Sequence, residues 1–120
     1  MFVYLIHQIG SKFYKIGRSK DLKERLRALQ PGNPQPLDLI AAFNVARFAS
    51  QVELDVHTAL AIRRLFGEWF ALTDEDVNEF GNLVAQSCPE KICYQHQTVF
   101  CAWCHATGGD GYYPKAAPRS

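Results

Sequence analysis

The sequence predicts an α/β chain of α+β type: a small, mainly antiparallel three-stranded sheet flanked by helices, with a Cys-rich C-terminal appendage. Three observations lead there. Two apolar stretches, 2–8 and 13–18, are separated only by a Gly10-Ser11 turn of hairpin length, which pairs them antiparallel. Three later segments begin at a helix-capping residue (Asp21, Ser50, Thr73) and two of them show clear amphipathic spacing. All four cysteines lie beyond residue 87, outside the segments that supply a core. A chain of 120 residues holds one compact core plus an appendage, but not two full domains. Residues 1–87 are read as the folded domain and 88–120 as the tail.

Each element follows from local chemistry. After the two hairpin strands, Asp21 and Glu24 stand three residues apart, as an N-cap and its reciprocal partner do. In the helix they open, Leu22, Leu26 and Leu29 form the core-facing stripe, and Arg25 lies at its edge, where a long cation needs an anionic partner or a route to solvent. Pro31-Gly32-Asn33-Pro34-Gln35-Pro36 breaks the chain. Leu37–Val45 is apolar enough for a third strand at the centre of a small sheet. Ser50 and Glu53 repeat the capping spacing and open a helix over 51–65, ended by Gly67. Glu68–Leu72 is a short extended segment, and Thr73 caps a last helix over 74–87. Asp74, Glu75 and Asp76 in its first turn complement the helix dipole. The stretches Gly108–Gly111 and Pro114–Ser120 are expected to be poorly ordered.

Charge is distributed unevenly. Residues 1–30 carry seven Lys/Arg against Asp21 and Glu24, a balance of +5, whereas the other 90 carry six against ten, a balance of −4. A basic N-terminal third suits a phosphate backbone, and Arg18, Lys20 and Lys23 are its candidate DNA contacts. No apolar run approaches the ~20 residues needed to span a bilayer. Phe2–Ile6 lacks the basic flank and cleavage site of a signal peptide. The chain is read as cytoplasmic, without a membrane partner.

Two constellations carry metal or acid–base chemistry. On a helix over 51–65, Glu53, His57 and Arg64 fall within about 40° of one another, a polar stripe on a mostly apolar surface. Cys88, Cys93, Cys101 and Cys104 are clustered as zinc ligands are. Cys101-Ala-Trp-Cys104 gives a tight half-site, and His96 or His105 could replace one thiolate. Free reduced thiols are the competing reading. Cys101–His105 also spells a haem-attachment motif, set aside because no export signal accompanies it.

The order of these landmarks resembles the GIY-YIG nuclease family. Phe2-Val3-Tyr4 stands at its first hairpin motif, Lys15-Ile16-Gly17 at its second, and Arg25 on the following helix. Glu53 stands on the helix after the third strand. His57 and Gly67-Glu68-Trp69-Phe70 match the phage and bacterial subgroup whose second motif reads KIG. The resemblance spans residues 2–84. It implies a metal-dependent DNA endonuclease with a catalytic set of Tyr4, Lys15, Arg25 and His57, and with Glu53 binding Mg²⁺ or Mn²⁺. In that scheme the cation polarises the phosphoryl oxygen, Arg25 holds the non-bridging oxygens, and Tyr4 orients the water or takes its proton. The competing reading of Glu53 is the capping box with Ser50.

Two positions depart from the pattern. Lys15 replaces the second tyrosine, and its neighbour Tyr14 points to the opposite face of the strand, so the general base is unassigned. Glu68 lies near the place of a late asparagine, with Asn78 and Asn82 further on; it could orient a metal-bound water or simply end a strand. The second function class carried from the sequence is a DNA-binding module of the same fold with weak or no catalysis.

Overall fold

β1 (Phe2–Gln8) is the strand around which everything else packs, because alternate residues bury on both of its faces. Val3 and Leu5 face one side, Tyr4 and Ile6 the other, and all four are at most 1 % exposed. In the computed structural model, which describes residues 1–93 and 96–99, β1 pairs antiparallel with β2 (Phe13–Ser19) from Phe2 opposite Ser19 to His7 opposite Tyr14. Gly10, at φ +86, makes the turn that reverses the chain. His7 stacks on Tyr14 at 4.4 Å and its Nε2 lies 2.6 Å from the Ser11 carbonyl, which fixes the hairpin register.

The α+β class is as expected, and the three strands expected from sequence form the middle of a larger sheet. β3 (Leu37–Asn44) pairs antiparallel with the other edge of β1, with a register shift at Leu5/Ile6. β4 (Arg64–Phe66) and β5 (Trp69–Ala71) form a hairpin whose second strand extends the sheet beyond β2. β6 (Ile92–Cys93) and β7 (Thr98–Val99) extend it beyond β3, with β7 parallel to β3. Among the described residues the order is β4-β5-β2-β1-β3-β7-β6. The central strand is thus β1, not Leu37–Val45. The apolar character of β3 comes from packing beside β1, and pairing order is a non-local outcome that composition does not encode.

Helices cover both faces. α1 (Leu22–Leu29) lays Leu22, Leu26 and Leu29 against Tyr4, Ile6 and Leu37. Asp21 caps it by accepting from the Glu24 amide at 3.1 Å, while the Glu24 carboxylate turns forward to Arg27. α2 (Ala49–Ala59) and α3 (Asp74–Ser87) cover the opposite face, burying Val52, Val56, Phe80 and Val84 against Val3, Leu5, Ile16, Phe43 and Phe70. Thr73 and Asp76 complete a reciprocal capping box on α3. No helix among the described residues is long and apolar enough to cross a membrane.

α2 differs from the expected 51–65 helix at both ends. It starts at Ala49 without a side-chain cap, so Ser50 and Glu53 form no capping box. It ends at Ala59, because Leu60 turns into the core and the chain passes through a 3-10 turn (Ala61–Arg63) into β4. Arg64 therefore leaves the Glu53–His57 stripe. It instead donates from Nε to the Gly67 carbonyl at 2.7 Å inside the β4–β5 hairpin.

The segment after residue 87 joins this core where it is described. Cys88, Ile92 and Val99 are buried with the α2/α3 layer, and β6 and β7 lie in the same sheet as β3. Cys101, Cys104, His105 and the stretches Gly108–Gly111 and Pro114–Ser120 lie outside the described residues.

Candidate active site

The outer edge of β2 changes partner at Ile16, and this creates the site. β5 pairs with β2 only from Phe13 to Lys15. At the next residue the Ile16 amide donates to the Glu68 carbonyl at 3.0 Å, and the Ile16 carbonyl accepts from His57 Nε2 at 2.9 Å. His57 also meets Phe70 edge-on at 4.9 Å. These contacts pin the β4–β5 turn and helix α2 to one point of the strand. Glu53 lies one helical turn before His57 and is carried to the same edge.

Gly17 is the floor of this edge. Opposite Tyr4 in the β1–β2 register, it leaves the space that two polar groups use. A Cβ built there would lie 2.5 Å from the Tyr4 hydroxyl oxygen and 3.1 Å from Glu68 Oε2. Only glycine admits both. Glu68 Oε2 is buried and has no hydrogen-bond partner, an arrangement that costs about 1–3 kcal/mol for a neutral group and more for a charged one.

The electrostatics join the same residues. Tyr4 is pushed up to about 12, first by burial and then by Glu68 and Glu53, with Arg25 acting the other way. The Glu53 carboxyl is pushed up first by burial and then by the charge of Glu68, while His57, Arg18 and Lys15 pull it down. A phenol, two mutually repelling carboxylates and a surrounding set of cations therefore share one electrostatic field. Lys15 sits over the Trp69 ring at 5.5 Å, held on the rung where the two strands pair.

The predicted site residues sort clearly. Tyr4, Glu53, Glu68, His57 and Lys15 converge on the β2 edge, and Arg25 reaches the field of Tyr4 from α1. Arg18, Lys20 and Arg25 line one open cleft between β2 and α1. Lys23 lines a different depression with Leu26 and Arg27, away from that cleft. Tyr14 lies buried in the opposite layer, stacked on His7. Asn78 and Asn82 sit on α3. Sequence reasoning gave Glu68 only an accessory place; its signal was the Gly67-Glu68 turn before Trp69, and the contact over Gly17 arises from strand pairing.

Among the described residues no cluster of three His, Cys, Asp or Glu side chains forms a ready metal cage. The two carboxylates with one buried unpartnered oxygen nonetheless suit a hard cation that keeps several waters. Of the zinc candidates, Cys88 packs in the core, and Cys93 Sγ lies 3.3 Å from His96 Nδ1.

No curated protein and no solved structure matches the chain. The comparison with protein families corrects the GIY-YIG assignment: the match is to a different, distinct domain, and no GIY-YIG family matches. Short motifs on a hairpin are a weak basis for kinship, since alternating apolar residues and a glycine suit many β-hairpins, whereas a family model weighs every position. Over residues 1–85 the sequence matches the model of the T5orf172 domain, and the chain belongs to that family.

Proposed function

We propose that the chain is a DNA endonuclease that hydrolyses phosphodiester bonds with a divalent cation, Mg²⁺ or Mn²⁺, at the β2 edge. The observation that carries this reading is the buried, unpartnered Glu68 Oε2 over Gly17, beside the Tyr4 hydroxyl and in the field of Glu53. Two carboxylates that repel each other in a partly buried place are tolerated at a cost, and a cation offsets that cost. Glu53 and Glu68 would hold it. When bound, it supplies charge neutralisation at the phosphoryl group and polarises a water.

The remaining roles belong to the chain's own residues. With its hydroxyl pushed up to about 12, Tyr4 keeps its proton at neutral pH and orients a water or a phosphoryl oxygen by hydrogen bonding. Arg25 holds non-bridging oxygens through its planar fork. Arg18 and Lys20, in the same cleft, bind the adjacent backbone phosphates. His57, with Nε2 committed to the Ile16 carbonyl, is a positioning residue that keeps Glu53 at the edge. Lys15, held by Trp69, offers a second phosphate contact. A cytoplasmic location fits a DNA substrate. The cysteine segment belongs to the same proposal: Cys93 and His96 turn a soft sulfur and a nitrogen toward each other, and with Cys101 and Cys104 they would complete a tetrahedral Zn²⁺ set.

The test is conversion of supercoiled plasmid to nicked or linear form, with Mg²⁺ and with chelator. Cleavage that requires the cation and is lost in Glu53→Gln and Glu68→Gln supports the reading. DNA binding without any cleavage under both conditions would leave a binding module and refute the enzyme.

A further inference from the structure

The β4–β5 hairpin that carries Glu68 also exposes apolar surface that a folded domain ordinarily hides. Phe66 is 70 % exposed and Leu65 48 %, and in the 3-10 turn just before β4 Ile62 is 89 % exposed. Phe66 and Trp69 flank the Gly67-Glu68 turn and, with Phe13, form an aromatic-lined groove of about 680 Å³. The size is within the range of sites that enclose a small planar ligand. Its polar lining comes from two amides, Gln8 and Asn33. The Asn33 amide nitrogen donates to the Leu29 carbonyl at 2.8 Å, which leaves its oxygen as the acceptor of that side chain. Beside the groove stands a cation, Lys15, over the Trp69 ring.

We infer that this groove binds an unpaired nucleobase of the DNA on which the β2 edge acts. The inference rests on the nucleic-acid reading above and specifies which DNA is taken. Three aromatic rings and two amides are what an unpaired base requires: a π-face to stack on, and hydrogen-bonding groups for its edge. A fully paired base offers neither, because its faces are stacked and its edge is paired. The occupant is identified by continuity and charge. Phe66 and Trp69 of the groove flank the Gly67-Glu68 turn that carries Glu68 into the carboxylate site, so a strand running past the site passes the groove. Lys15 matches a phosphate of that strand. The protein therefore favours DNA with an unpaired nucleotide, such as a single strand or a flap, over a continuous duplex.

The test uses a short single-stranded oligonucleotide carrying 2-aminopurine, and a blunt duplex of the same sequence, titrated in chelator so that no cleavage occurs. The fluorescence of 2-aminopurine is quenched when the base stacks. Phe66 is exposed, so Phe66→Ala leaves the fold intact, and Phe66→Tyr restores a stacking ring. Quenching by wild type is expected, with single-strand affinity about tenfold or more weaker in Phe66→Ala, recovered in Phe66→Tyr, and duplex affinity changed less than twofold. Equal losses on both DNAs, or none on either, overturn the inference while leaving the endonuclease reading to its plasmid test. Self-association abolished by Phe66→Ala, with DNA binding untouched, assigns the patch to a second copy and likewise overturns it. If wild type binds neither DNA, in chelator or with Ca²⁺ in place of Mg²⁺, the inference falls, and the plasmid test alone decides the endonuclease reading.

Discussion

Gly17→Ala is the substitution that tests the site most directly, because its effect can be worked from distances. The added methyl would lie 2.5 Å from the Tyr4 oxygen, 2.7 Å from Tyr4 Cζ and 3.1 Å from Glu68 Oε2. Tyr4 cannot retreat, since its ring is 1 % exposed and wedged among Ile6, Leu22, Leu26 and Trp69. Overpacking of this kind costs about 1–3 kcal/mol. For a domain of this size that lowers Tm by about 4 °C per kcal/mol, so a fall of about 4–12 °C is expected. Activity falls further, because displacing a catalytic group by about 1 Å can cost ~10²-fold. Tyr4→Phe in the same background removes the shortest contact but not the one at Cζ, so it rescues stability in part. A coupling of about 1 kcal/mol or more in the double-mutant cycle is expected, read by urea or thermal unfolding. If Gly17→Ala is as stable and active as wild type, or if the two substitutions are additive, Tyr4 and Glu68 do not meet over Gly17 and the site is wrongly built.

Glu53→Gln should abolish cleavage yet raise stability in chelator at neutral pH. The carboxyl is pushed up by burial and by Glu68, so its ionised form costs the fold stability in full above the raised value, and that cost shrinks as pH falls below it and is gone below the ordinary one. The advantage of the variant over wild type should accordingly shrink on acidification; an advantage that grows would have the sign wrong. Arg25→Ala should lower the cleavage rate ~10²-fold with little change in Tm, whereas Lys23→Ala, outside the cleft, should leave the rate within a few-fold and reduce the salt dependence of binding by about one counterion at most. Elemental analysis should find about one Zn²⁺ per chain, released by Cys104→Ser; protein purified without chelator that holds none, with its thiols reactive, would remove zinc from the account.

The sequence made the strongly periodic elements legible. β1 and β2 announce themselves by alternation and by Gly10, and α3 by Thr73 with Asp76 three residues on. The α2 end was not legible, because Val52, Val56 and Leu60 keep helical spacing up to the residue where the helix stops. What stops it is the pairing of Arg64–Phe66 with β5, a contact that no local pattern contains. The same limit governs the site. Tyr4, Arg25 and Glu53 stand out as residue types in sensible places. That Glu68 shares the space over Gly17 depends on the β4–β5 hairpin docking beside β2, across 51 positions of sequence. Family kinship is hard to read from the hairpin for a related reason: a few ordered landmarks constrain the hairpin chemistry, but not the rest of the domain.

Stability and function pull against each other at this edge, and the direction of the conflict is informative. A fold under selection for stability alone would not keep Glu68 Oε2 buried without a partner, nor set Glu53 where burial and a second carboxylate both resist its charge. Hydrogen-bonded amides at both positions would remove the repulsion at little cost in volume. The nearby basic side chains offset the repulsion only in part: His57, Arg18 and Lys15 lower the Glu53 carboxyl, yet the net displacement is still upward. His57 also acts through geometry, since its bond to Ile16 holds α2 against the strand. A destabilising pair that is held in place, beside a phenol kept protonated and an arginine in reach, is the arrangement that the proposed cation would compensate.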